Sequence, residues 1–325
     1  MAKSMPSRIW RPAMTNSRLS APSVLPILLL ALLAALAVAG CGGSADGAGS
    51  DGKISAVGAE NEYANVIEQI GGKYVDVSAV LSDPNTDPHS FEASVSVAQQ
   101  VAGADVVVQN GLGYDSWMEK IESASASDAR DVIDVQELLG LPDSTPNPHL
   151  WYKPETMPAV AKQLVADFSG LQPEHKSYFE ANLAKFEASL QPWLKGLKEF
   201  STKYPGAAVA TTEPVADYLL EAAGIENLTP FTMQADVMND ADPAPQAVAL
   251  QESFFTEGKA DAFVYNQQVT DSITKKFSKT AEENDVPIVG VYETMPAGYT
   301  YERWMEAELT ALEEAVAHGK STEAL

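Results

Sequence analysis

The chain has 325 residues, 45% of them hydrophobic, and 45 acidic against 21 basic residues give a formal net charge of −24. That length can build two ordinary domains, and the excess of acids excludes the basic face that nucleic acid or an anionic lipid surface would need. A single cysteine excludes a disulfide framework and a thiolate metal cluster, so a bound metal would have to be held by nitrogen and oxygen.

The chain begins with Lys3, Arg8, Arg11 and Arg18 and no acid, continues through an apolar run from Leu25 to Val38, and reaches Val38-Ala39-Gly40-Cys41, which has the form of a bacterial lipobox. The apolar run is short for a membrane span and its end is rich in Ala and Gly, so residues 1–40 read as a cleaved signal, with an uncleaved anchor as the alternative. Cys41 then becomes the first residue of the mature chain and carries lipid, which holds the protein at the outside of the bacterial cell membrane. Removing the four cations of the leader leaves a charge of −28 on the mature part. Residues 41–52, Gly- and Ser-rich, read as a flexible tether.

Two sets of alternating elements follow. In the first, Ile54–Val57, Val75–Leu81, Val106–Gln109 and Val132–Val135 read as buried strands, with helices near Glu60–Ile70, Ser94–Ala102, Asp115–Ser123 and Pro154–Phe168. In the second, Ala207–Ala210, Asn227–Phe231, Ala262–Tyr265 and Pro287–Val291 read as strands. Its helices fall near Pro214–Ala223, Pro245–Glu257, Asp271–Glu283 and Tyr301–His318. The rhythm predicts an α/β protein of two lobes, residues 53–170 and 205–325, each with a parallel sheet flanked by helices. No residue-level repeat between them is apparent. Residues 171–204 join them: Phe179, Leu183, Phe186, Leu190, Trp193, Leu197 and Phe200 recur at steps of four and three, one face of a helix. Some thirty helical residues span roughly 45 Å. Pro192 should kink this helix or divide it, since its ring clashes with the carbonyl of Ala188.

Of four histidines, two share a setting. His89 lies in Asp87-Pro88-His89-Ser90-Phe91 and His149 in Asn147-Pro148-His149-Leu150-Trp151. Each follows a proline that fixes the backbone and precedes an aromatic that can wall off water, both useful for aiming a ligand nitrogen. A loop histidine can equally serve as an ordinary pocket or surface group. His175 and His318 read as surface. Glu213 and Glu293 follow the strands Ala207–Ala210 and Pro287–Val291, at the carboxyl ends where parallel sheets bind ligands; each could instead be a helix cap or a solvated loop charge. No zinc-protease, hydrolase-elbow, P-loop or dinucleotide motif is present.

The segments Asp87-Pro88-His89-Ser90-Phe91-Glu92, Ala104-Asp105-Val106-Val107-Val108-Gln109-Asn110-Gly111 and Asn147-Pro148-His149-Leu150-Trp151 resemble the zinc/manganese-binding lipoproteins of metal ABC transporters. Thr212-Glu213-Pro214 and Val289-Gly290-Val291-Tyr292-Glu293 fall where that family places its third and fourth ligands. The resemblance spans about residues 53 to 320. It implies two α/β lobes joined by one long rigid helix, with a single divalent metal in the interlobe cleft held by His89, His149, Glu213 and Glu293. The position of Glu213 is histidine in many zinc-binding members and glutamate in many manganese-binding ones; that of Glu293 is more often aspartate, with Asp236, Asp240 and Asp242 as fallback carboxylates. The segment Gly140–Pro148 has no histidine, unlike the His-rich loop of many zinc importers.

The resulting expectation is a monomeric extracytoplasmic lipoprotein, not an enzyme, that captures Zn²⁺ or Mn²⁺ (or Fe²⁺) as cargo and delivers it to an ABC permease. Two oxygen ligands suit manganese or iron, while the general affinity order favours zinc over manganese. A binding protein for a small organic ligand is the alternative, and a metal-dependent hydrolase a remoter one, since four protein ligands leave little room for an activated water.

Overall fold

The runs Val106–Gln109, Ala208–Thr211, Ala262–Asn266 and Ile288–Val291 become strands buried on both faces, whereas Val75–Leu81 and Asp131–Asp134, at the edges of the first sheet, are partly exposed, so the expected strand at Val132–Val135 is not a buried one. The computed structural model describes residues 52–83 and 91–325, so the leader with Cys41, the tether up to Asp51, and His89 lie outside the described residues. The first sheet contains β1 (Ile54–Glu60), β2 (Val75–Leu81), β3 (Val106–Gln109) and β4 (Asp131–Asp134), all parallel in the order β2-β1-β3-β4. Around it lie α1 (Asn61–Gly71), α2 (Val95–Ala102), α3 (Ser116–Ala124), α4 (Val135–Leu138) and α5 (Thr156–Leu171). Strand β1 runs three residues past the expected Val57. Gly58 and Ala59 are weak strand formers, but a side chain at Gly58 would collide with the backbone of Ala64 on α1, so close helix–strand packing explains the glycine.

After α5 come α6 (Lys176–Ser189) and α7 (Gln191–Lys203). They are the linking helix, divided at Leu190, whose backbone stays right-handed helical at φ −74° and ψ −18°. Pro192, near the start of α7, has no N–H to donate, and the helical ladder is interrupted just before it. The stripe is core as expected: Phe179, Phe186, Leu190, Trp193, Leu197 and Phe200 are buried and Leu183 packs against them. Helix α6 lies on α1 and α5, whereas α7 lies against two helices of the second half.

The second sheet holds β5 (Ala208–Thr211), β6 (Glu226–Asn227), β7 (Ala262–Asn266) and β8 (Ile288–Val291), parallel in the order β6-β5-β7-β8. Its helices are α8 (Asp217–Ala223), α9 (Phe231–Met238), α10 (Pro245–Thr256), α11 (Ser272–Glu283) and α12 (Tyr301–His318). The two partners on α7 are α8 and α12. The expected strand Asn227–Phe231 shrinks to a two-residue β6. Beyond it the Thr229 hydroxyl, not a strand amide pattern, accepts from Thr211 N, and Pro230 leads into α9. One hydrophobic cluster runs from Ile54 and Ile67 through Trp193 to Val289 and Trp304, so both halves share a core.

The two sheets have the same topology, and their registers expose a repeat the sequence alone did not reveal. Ala56 pairs with Val106 in the first sheet and Val209 with Ala262 in the second. Just before these pairs, the Asp105 carboxylate accepts from Ser55 N at 2.8 Å, and that of Asp261 from Ala208 N at 2.9 Å. Matched this way, Ala104-Asp105-Val106-Val107-Val108-Gln109-Asn110 corresponds to Ala260-Asp261-Ala262-Phe263-Val264-Tyr265-Asn266, an Ala-Asp-x-x-Val-x-Asn pattern. Counting on from β1 and β5 sets Glu60 opposite Glu213. The expectation of no residue-level repeat is thereby corrected.

Candidate functional site

Three of the four residues singled out from the sequence meet at the carboxyl ends of the two sheets. His149 stands at the head of a 3-10 turn, Leu150–Tyr152, and is fully buried. Its orientation follows from the side chain two residues earlier. Asn147 donates its Nδ2 to the Pro214 carbonyl at 2.7 Å, which turns its Oδ1 toward His149; that oxygen accepts the His149 backbone N–H at 3.0 Å. The imidazole Nδ1, 2.7 Å from the same Oδ1, must therefore carry the proton. Nε2 is left facing Glu293 Oε2 at 3.3 Å. A lone pair facing a carboxylate oxygen needs a proton or a cation to be comfortable. Trp151 and Tyr114 pack edge-on against the ring, with centroids 5.4 and 5.7 Å away, so the aromatic following His149 does wall it in.

Glu293 follows β8 and is fully buried. Its Oε2 accepts from the Tyr114 hydroxyl at 3.0 Å and its Oε1 from Asn266 Nδ2 at 2.7 Å. Glu213, 3% exposed, follows β5, and its Oε2 accepts from the same Asn266 nitrogen at 2.6 Å. Helix α8 begins four residues later with Ala216 as its cap, so Glu213 is not a helix cap. One amide thus holds two carboxylates with its two protons. It is itself fixed by its backbone N–H to Thr212 Oγ1 and by its Oδ1, which accepts Gln268 N. Among the described residues no three His, Cys, Asp or Glu side chains stand as a ready coordination shell; the Asn266 amide lies between the carboxylates.

More acid surrounds this group. Glu60 and Glu62 are fully buried and Asp115 nearly so. Burial holds the Glu60 carboxyl well above its usual range, with the charges of Asp115 and Glu62 adding to the effect. Burial likewise lifts Glu62 to about 8, and the Glu293 and Asp115 charges push the same way. Asp115 is raised to about 7, chiefly by burial, against the backbone N–H groups of Asn110 and Gly111 that its carboxylate accepts.

The other candidates lie elsewhere. His175 stacks on Tyr74 with centroids 3.6 Å apart, and His318 is exposed at the end of α12. Asp236 is on α9, with Asp240 and Asp242 exposed beyond it. Sequence reasoning missed Asn266, Tyr114, Asn147 and Glu60; the Ala-Asp-x-x-Val-x-Asn pattern was the available signal for the first.

Two parallel-sheet lobes that bring their strand ends to one buried polar group define a bilobed solute-binding protein. The model of the family described as "ZnuA: Zinc-uptake complex component A periplasmic" matches residues 57–315, and the chain belongs to that family. Its role is thereby that of the metal-binding, substrate-binding component of an ABC-type metal importer. The manganese ABC transporter substrate-binding lipoprotein PsaA of Streptococcus mitis is 22% identical over 297 residues, 85% of this chain and 94% of that one. The manganese-binding lipoprotein MntA of Bacillus subtilis is 27% identical over 158 residues, 47% of this chain, and the match spans about half (51%) of MntA. Among solved structures, one titled as the crystal structure of ZnuA aligns with a TM-score of 0.67 at 20% identity, covering 82% of this chain and 100% of its own. The Mn-bound periplasmic metal-binding protein from candidatus liberibacter asiaticus aligns with a TM-score of 0.67 at 17% identity, covering 81% and 100%. These likenesses establish the fold.

Proposed function

We propose that the chain takes up one divalent transition metal, Mn²⁺ or Zn²⁺, between its lobes and hands it to the permease of an ABC importer, while lipid on Cys41 keeps it at the outer face of the cell membrane. His89, His149, Glu213 and Glu293 are the ligands in this reading. The observation that carries it is the locked imidazole: Nδ1 is committed to Asn147, so Nε2 addresses Glu293 Oε2 across 3.3 Å with both atoms able to donate electron pairs to one cation. Two neutral imidazoles and two carboxylates balance the charge of a divalent ion. The names of PsaA and MntA support manganese as cargo, and the family description supports zinc.

Asn266 serves the metal-free state in this reading. It keeps two like charges apart until the ion replaces its two protons as their common partner. The test is metal content of the detergent-solubilised protein by plasma mass spectrometry after loading with equal Mn²⁺ and Zn²⁺, beside His149→Ala and His89→Ala/His149→Ala. One metal per chain, lost in the double variant, is expected. No metal in the unmodified chain after loading refutes the reading and favours an organic ligand.

A further inference from the structure

Glu60 has no ordinary structural job. It is the residue capping α1, yet its side chain makes no capping hydrogen bond to that helix. It is fully buried, and neither carboxyl oxygen accepts a hydrogen bond from another residue. Burial without a donor or a cation strongly disfavours the ionised form, so Glu60 stays a protonated acid until a cation arrives to hold its carboxylate.

The internal repeat says what is missing. In the second sheet the acid two residues past the first strand, Glu213, is held by the asparagine ending the third, Asn266. In the first sheet that asparagine is Asn110, and it is turned elsewhere. Its Nδ2 donates to the carbonyls of Pro148 at 2.8 Å and Gly111 at 3.1 Å, and its Oδ1 accepts the Tyr63 hydroxyl at 2.7 Å. Asn110 therefore braces the His149 loop, and Glu60 is left without the amide its counterpart enjoys. Glu60 also shares surroundings with the candidate ligands. After burial, the largest influences raising the Tyr114 hydroxyl, which is bonded to Glu293, are the charges of Glu293 and then Glu60.

We infer that Glu60 is a further oxygen ligand for the cation bound by this site, the first lobe's counterpart of Glu213, and that it biases the site toward Mn²⁺ over Zn²⁺. The inference rests on the metal-capture reading above and goes beyond it. The His149 imidazole and three carboxylates, each able to offer two oxygens, form an oxygen-rich, anionic set with more than four donor atoms. Zinc settles for four ligands in tetrahedral geometry, whereas oxygen-rich, higher-coordinate surroundings suit manganese.

Affinities for Mn²⁺ alone and Zn²⁺ alone are measured on the solubilised whole chain, on Glu60→Gln, which removes the charge, and on Glu60→Asp, which keeps it but draws the carboxylate back. At least a tenfold loss for Mn²⁺ is expected in both, with Zn²⁺ affected markedly less. Unchanged affinities, or equal losses for the two metals, overturn the inference while leaving metal capture standing. Failure of the unmodified chain to bind either metal overturns metal capture itself. A measurement needing no variant covers the case of misfolding: electron–nuclear double resonance on Mn²⁺-loaded protein carrying ¹³C-carboxyl glutamate. Three coupled glutamates are expected, and two would refute Glu60 as a ligand.

Discussion

Replacing Glu308 by glutamine should change how the metal-free protein responds to pH. Glu308, on α12, is fully buried; its Oε1 accepts Trp304 Nε1 at 2.7 Å and the Tyr152 hydroxyl at 2.9 Å, and its Oε2 has no partner. Burial raises its carboxyl from 4.5 to about 8, more than the bonds from Tyr152 and Trp304 lower it. The folded protein then keeps a proton that the unfolded chain releases above about pH 4.5, so this group's contribution to stability is full below that value and is lost as pH climbs through about 8. At about 1.36 kcal/mol per pH unit the complete loss is about 5 kcal/mol, and about 2.5 kcal/mol of it falls between pH 5 and 7. Glu308→Gln cannot titrate. Its amide leaves a donor where Oε2 lay, at a pH-independent cost of about 1–3 kcal/mol. Urea unfolding of the metal-free protein at pH 5, 6, 7 and 8 should show the variant less stable at pH 5 and gaining about 2.5 kcal/mol on the unmodified chain by pH 7. Other buried acids contribute equally to both proteins and cancel in that difference. Curves that stay parallel across this range would refute a protonated Glu308.

Two further substitutions test the site and its frame. Asn266→Ala leaves Glu213 and Glu293 without their shared donor, so the metal-free protein should lose about 3 kcal/mol. The metal-loaded form should lose less, visible as a larger Mn²⁺-induced rise in melting temperature; equal losses in both states would count against a role that ends when the ion arrives. Gly290→Ala places a methyl group against the carbonyl oxygen of Glu323, where the C-terminal segment lies along β8 with Gly290 N donating to Thr322 O at 2.9 Å. That segment should detach, read as faster proteolysis near residue 320, with unchanged metal content; a protected terminus would show that the contact relaxes in place.

The fold was legible where burial on both faces imposes continuous apolar runs. Val106–Gln109, buried throughout, and the amphipathic Tyr301–His318 are found at their expected bounds, because a central parallel strand and a long amphipathic helix leave little choice of residue; the edge strand Val75–Leu81 is also found at its bounds, although its middle is only half-buried. Helix α9 was hidden because Asn227 to Phe231 is apolar and β-branched enough to pass for a strand, and only the tertiary role of Thr229 and the proline after it shortens the ladder. Within the site, His149, Glu213 and Glu293 stood out by residue type and by position after strands. Asn266 did not, since a neutral amide in a strand carries no chemical signature until two carboxylates are seen on its nitrogen. Glu60 was obscured by its neighbours: an acid before Asn61 and Glu62 at the start of a helix looks like a cap.

The repeat also explains how separation of the lobes would act on the site. Asn147, two residues before His149, donates to the carbonyl of Pro214, the residue after Glu213. Asn61, the residue after Glu60, binds both backbone groups of Met295, two residues after Glu293, at 2.8 and 2.9 Å. The chain within two residues of each second-lobe carboxylate is therefore braced by an asparagine of the first lobe that lies close in sequence to His149 or Glu60. With α6 seated on one half, α7 on the other and a shared core between them, a wide free hinge is disfavoured. Small separations of the lobes must instead pull on Pro214 and Met295 first, displacing Glu213 and Glu293 relative to His149 before the core opens. On the metal-capture reading, a permease that gained only a little purchase on the two lobes would thus disturb the geometry of the candidate ligands directly, without first opening the shared core.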